Sequence, residues 1–278
     1  MAEGDFAKAL DRYVGWGVSV LELGDAVCGK SIADLTMAEA RRAAALIAER
    51  GLSVYCLSTG FFQQDVERGE DEFRRNHLRP LKHVLELAQV LKPRLVGLTA
   101  ATTAKRADFK DSISYVQLSY RWLIPLYREA ADLIDRAGFG TTIENGTGDS
   151  LFSAPREIVD FFRVLGHRER ICFGWDVQDL WQCGTFPGPE VYKALKGLIG
   201  YCHVKGGQHG PTSKSLRWRS ALEDASWPVA QVLRQVVHDG VSPVICLRAS
   251  LGAPRPGYEY GGVAERDIAF LRKLLAEC

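Results

Sequence analysis

Glu144, Asp176 and His203 each stand at or near the end of a short apolar run, and each is a side chain that ligates metal ions or moves protons. Two carboxylates and an imidazole brought together suit Mn²⁺, Mg²⁺, Co²⁺ or Zn²⁺. A hard cation held there binds two adjacent oxygens of a sugar-like ligand and acidifies a hydroxyl or an α-carbon proton. Other run ends bring Glu22 and Asp25, Ser58, Thr99, Asn145, Lys205 and Arg248. A lone carboxylate in such a place is ordinarily a solvated loop group. The joint pattern weighs more, because a parallel barrel gathers the ends of all its strands at one mouth. In that setting Glu144 suits a general base and Lys205 an electrophilic stabiliser of a developing enolate.

Positioning these groups falls to two alternating periods. Strand-like runs cover 18–23, 52–58, 95–99, 141–144, 171–176, 201–205 and 244–248. They are near-continuous in apolar residues, as in strands buried on both faces. Helical spacing covers 6–13, 38–50, 70–91, 111–137, a stretch from Ser153-Ala154-Pro155, then 189–196, 223–238 and 263–275. Strands alternating with helices predict βα units around a parallel sheet. The expectation is one TIM-barrel domain over residues 1–278, with eight helices but seven strands. The chain enters in a helix, so the first strand is absent, and either the barrel is incompletely closed or the natural start lies upstream. The polar, Gly-rich segment 206–220 reads as a mobile functional loop.

Composition narrows the function classes. Lys+Arg number 35 against Asp+Glu 34, so no global charge draws the chain to nucleic acid or to an anionic membrane. No run approaches the roughly 20 apolar residues of a membrane helix. Acids at Glu3 and Asp5 replace the basic start of a signal peptide. The seven cysteines are scattered without a CxxC pair and read as reduced core thiols of a cytoplasmic protein. No GxxxxGK[ST], HExxH or GxSxG motif is present. His77, His83, His167 and His238 fall on predicted helices or their flanks and read as packing; His209 reads as a solvated loop residue. Trp16, Trp175, Trp181 and Trp218 are placed near loop mouths, where aromatic walls suit sugar faces.

Four short motifs in order carry a resemblance to the xylose-isomerase-like superfamily of sugar isomerases and epimerases. Gly17-Val18-Ser19-Val20-Leu21-Glu22-Leu23 is similar to its second strand, and AGFGTTIEN, ending at Asn145, to its fifth. Gly174-Trp175-Asp176-Val177 is similar to its sixth, and Cys202-His203-Val204-Lys205 to its HxK seventh. Residues 218–230 resemble the region before its last strand. The resemblance implies a TIM barrel and a divalent metal held by Glu144, Asp176, His203 and a second Glu. It also implies a sugar-like substrate and a substrate-binding arginine near Arg217 or Arg219; the strand-end groups Glu22, Asn145, Asp179 and Arg248 are the other expected substrate contacts.

Three positions depart from the family. Arg248 stands where the second Glu belongs, Asp179 where a His is usual, and Gly206 where an Asp often follows HxK. A guanidinium does not ligate a cation, but it pairs with a carboxylate. Three readings therefore stay open. The site retains a metal on three ligands and water, or Arg248 supplies the positive charge of a metal-free site, or the barrel is a non-catalytic subunit that docks a partner. With one carboxylate base left, two-base epimerisation is weakened, and a metal-independent lyase or dehydratase becomes the nearest enzymatic alternative. The trinuclear zinc site of the DNA-repair branch calls for more strand-end histidines than His203 alone.

Overall fold

The computed structural model describes residues 3–166 and 169–278; His167 lies outside them. The chain divides into two compact units, one of the described residues of Met1–Ile143 with Val164–Ile171, the other of Glu144–Arg163 with Cys172–Cys278.

In the first unit the helix Glu3–Gly15 leads into β1, Val20–Leu23, followed by β2, Ser53–Ser58, β3, Leu95–Thr99, and β4, Gly140–Glu144. These strands pair in chain order, in parallel where the register runs from β1 to β2 and on to β3. Val54, Tyr55, Cys56 and Leu57 are buried one after another, as a strand covered on both faces requires. The helix Met37–Ala48 starts in a capping box, with the Thr36 side chain accepting from the Glu39 amide and the Glu39 carboxylate from the Thr36 amide.

Two predicted helices of this unit are broken, each next to a proline. The stretch 70–91 opens as helix, widens to a π-turn over Arg74–Leu78 and resumes at Arg79–Leu91. Pro80 has no N–H to donate, and its ring crowds the carbonyl four residues back, so the turn widens there. Likewise 111–137 splits into Ser112–Ser119 and Leu123–Arg136, because Pro125 is tolerated in a first turn and not in a helix interior.

The second unit holds β5, Ile171–Asp176, β6, Ile199–Val204, a hairpin of β7, Gln208–His209, and β8, Leu216–Trp218, and finally β9, Ile245–Leu247. β5, β6 and β9 are neighbours in parallel; β7 and β8 pair antiparallel. The polar segment 206–220 is thus a hairpin rather than an open loop. A short helix, Val177–Gln182, follows β5 directly. The predicted helix over 223–238 begins only at Val229, behind Pro228, which holds the residue before it out of helical conformation. Among the described residues the parallel strands are the seven that the sequence predicts, and helix rather than strand precedes β1.

Candidate active site

Register decides which side chains meet. Asp176 at the end of β5 stands beside His203 of β6, and His203 beside Cys246 of β9. Alternate residues of a strand share a face, so Lys205 projects to the side of His203, and Arg248 to the side of Cys246. The Arg248 amide extends the ladder by donating to the Val204 carbonyl at 3.0 Å.

His203 is buried, with its ring edge-on to Tyr201. Its Nδ1 lies 2.9 Å from Glu144 Oε1 and 4.0 Å from Asp176 Oδ2. An ionised carboxylate only accepts, so the imidazole donates from Nδ1. Arg248 Nη1 approaches the same Glu144 oxygen at 3.6 Å. Glu144 is therefore flanked by an imidazole N–H and a guanidinium, an arrangement that fixes where it points.

Asp176 is fully buried and works with both oxygens. Oδ1 accepts the amides of Gln178 and Asp179 at 3.0 Å each, capping the helix that follows. Oδ2 lies 2.6 Å from Lys205 Nζ. The Lys205 ammonium also reaches Asp179 Oδ1 at 2.8 Å. Burial pulls the pKa of Lys205 down, but Asp176 and Asp179 outweigh it, and the ammonium stays protonated above its ordinary range. The pKa of Asp179 is also raised, which for a carboxyl favours the neutral form. Burial, then the charge of Asp176, raise its carboxyl to about 7; Lys205 opposes this and Glu144 adds to it.

Asn145, expected among the substrate contacts, has another task. Its buried amide donates to the Asp176 carbonyl at 3.0 Å and accepts from the Asp176 amide at 2.9 Å. Both ends of the side chain are bonded to backbone, so Asn145 positions Asp176. Asp179, expected at the substrate, is the second carboxylate on Lys205. Arg217 and Arg219 are exposed and lie over the rings of Trp218 and Tyr260. Glu22 is the third residue of β1, in the first unit. Trp175 and Trp181 are core residues and wall no mouth. His209 is half-buried, with Nδ1 bonded to the Gly210 carbonyl.

Sequence reasoning overlooked Gln178. Its buried amide donates to the Gly206 carbonyl at 2.6 Å and to Ser250 Oγ at 3.0 Å, and accepts from the Leu251 amide. One side chain thus ties the turn after Lys205 to the loop after Arg248. A glutamine in the first turn of a helix carries no signal of that role. Gly206 has a local reason too: a Cβ there would run into the Ser220 carbonyl oxygen, so the family's Asp has no room.

Glu144, Asp176 and His203 offer donor atoms all within 4.8 Å of one another, a group that could hold a metal ion. In donor type and spacing the three fit; their charge is already met in part by two cations. Lys205 already occupies Asp176 Oδ2, and Arg248 stands against Glu144.

No protein-family model matches the chain, and no curated protein matches it. Solved structures do. A xylose isomerase-like TIM barrel protein from Mycobacterium smegmatis, in complex with magnesium, is 17% identical with a TM-score of 0.73, over 100% of this chain and 90% of that one. D-psicose 3-epimerase from Clostridium cellulolyticum H10, solved with D-tagatose, is 13% identical at TM-score 0.69, over 98% and 93%. The probable 3-DHS dehydratase AsbF from Bacillus anthracis is 12% identical at TM-score 0.70, over 96% and 93%. Identities this low speak for the fold alone. By these likenesses the chain has the fold of the xylose isomerase-like TIM barrel proteins.

Proposed function

We propose that this chain is an enzyme of the sugar isomerase or epimerase type, acting on a sugar-like or cyclitol substrate at the carbon next to a carbonyl. The observation that carries the reading is Glu144, a strand-end carboxylate held between His203 Nδ1 and Arg248, with the buried Lys205 ammonium nearby on Asp176. Glu144 takes the proton. The electron pair of the broken C–H bond forms the C=C bond of an enolate, and the carbonyl pair moves onto oxygen. Arg248 and Lys205 supply positive charge for that oxygen. Lys205, which grips its proton, serves as a charge rather than a proton donor. The proton of the neighbouring hydroxyl then passes to that oxygen, the electron pair it leaves forms the new carbonyl, and return of the first proton by Glu144 to the former carbonyl carbon, on the same face, completes an isomerisation with one base.

A second reading, dehydration, is favoured by the same single base. After loss of the α-proton, a β-hydroxyl leaves as water with a proton from a group such as Asp179, whose pKa of about 7 suits an acid at neutral pH. The dehydratase among the similar folds supports keeping it. Among the described residues no helix is long and apolar enough to cross a membrane.

The test is proton exchange. The protein is incubated with a panel of ketoses, aldoses and cyclitol ketones in D₂O and followed by NMR. Deuterium appearing next to the carbonyl, and lost in Glu144→Gln with an unchanged Tm, supports the reading. Loss of water instead of exchange selects the dehydratase. No turnover of any substrate, or equal turnover in Glu144→Gln, sinks both and favours the docking subunit.

A further inference from the structure

We propose that Lys205 and Arg248 take the place of a divalent metal at this site, as fixed cations that hold the oxyanion of a hydroxy-carbonyl substrate. The substrate class rests on the proton-transfer reading above; the cation replacement does not.

Four observations carry it. Asp176 Oδ1 caps a helix, and its Oδ2 faces the Lys205 ammonium at 2.6 Å, so a cation bound at Oδ2 would meet that charge. Glu144 Oε1 is shared between His203 Nδ1 at 2.9 Å and Arg248 at 3.6 Å. Lys205 is buried, with its ammonium on two carboxylates and its carbonyl accepting from Trp227 Nε1 at 3.1 Å. Finally, the two cations are built into the backbone. The Arg248 amide bonds Val204, next to Lys205, and Gln178 bonds Gly206 and Ser250, which follow the two cations. An ammonium and a guanidinium anchored this way are already in position when a substrate oxygen becomes negative. They cost no reorganisation at that moment. A dication entering the same space would have to expel Lys205 from Asp176 and withstand Arg248.

Metal binding is the test, and it is read without turnover. Protein purified without chelator is subjected to elemental analysis, then titrated calorimetrically with MnCl₂ and MgCl₂, with Tm followed alongside. The wild-type chain is expected to carry far less than one equivalent of metal and to show no Tm shift with either salt. Arg248→Glu exchanges the repelling charge for a ligand and is expected to bind Mn²⁺ at least about 100-fold more tightly, with a raised Tm. If that variant does not fold, Arg248→Gln keeps the volume, drops the charge and is expected to gain about 10-fold. About one equivalent of metal in the wild type, removed by chelator with a fall in Tm, overturns the proposal. So does a folded Arg248 variant with no gain in affinity. Failure of the proton-exchange experiment leaves these outcomes untouched, so the two ideas fall separately.

Discussion

Lys205 Nζ lies 2.6 Å from Asp176 Oδ2, with side chains only 6% and 0% exposed. A buried ion pair of this kind adds little over well-packed apolar residues, yet loss of one partner strands the other charge. Lys205→Met is expected to cost about 3–5 kcal/mol in denaturant unfolding. In the double variant with Asp176→Asn the losses should fall short of additivity by about 1–3 kcal/mol. Full additivity would mean that the pair is not coupled.

Asn145 is expected to matter through Asp176 rather than through a ligand. Asn145→Leu removes both of its bonds to the Asp176 backbone and leaves two buried polar groups unmet, at about 2–4 kcal/mol. Asn145→Asp keeps the acceptor but turns the donor into a repelling oxygen, so it should be no better. A Tm equal to wild type in either variant contradicts the positioning role.

Asp179 gives stability a pH dependence of known sign. Its folded pKa of about 7 lies above the ordinary 3.8, so the folded state binds its proton more tightly than the unfolded state between those values. Stability should therefore fall as pH rises from about 4 to about 7, by up to about 4 kcal/mol, and the cost should persist above that range. Lys205 works elsewhere: its raised pKa contributes stability that is lost only above about 10.5. Asp267, with a pKa near 6, has the same sign as Asp179, so the comparison must be with Asp179→Asn. The difference in unfolding free energy between wild type and that variant should shrink on acidification from pH 8 to 5. A pH-independent difference refutes the assignment.

Gly206→Ala tests the cramped turn after Lys205. The new methyl group would collide with the Ser220 carbonyl, a backbone atom that cannot rotate away. A loss of about 3 kcal/mol or more is expected, together with faster hydrogen exchange in β7 and β8. Wild-type stability would show that the turn is slack.

Much of the architecture was legible along the chain because its causes are local. Continuous apolar runs such as 95–99 and 171–176 mark doubly covered strands, and the structure places β3 and β5 over the same residues. Helix breaks were less legible. Pro80 and Pro125 are plain in the sequence, but whether a proline widens a turn or ends a helix depends on what packs around it. At the site, the sequence by itself determined which charge-bearing side chains end the strands: Glu144, Asp176, His203, Lys205 and Arg248. It did not determine their partners. Strand register put Asp176 beside His203, burial pressed Lys205 onto Asp176 and Asp179, and the amides of Asn145 and Gln178 were spent on backbone. Those outcomes belong to tertiary structure, because the cost of leaving a buried charge or amide unmet is set by which groups fold against it and not by its neighbours in the chain.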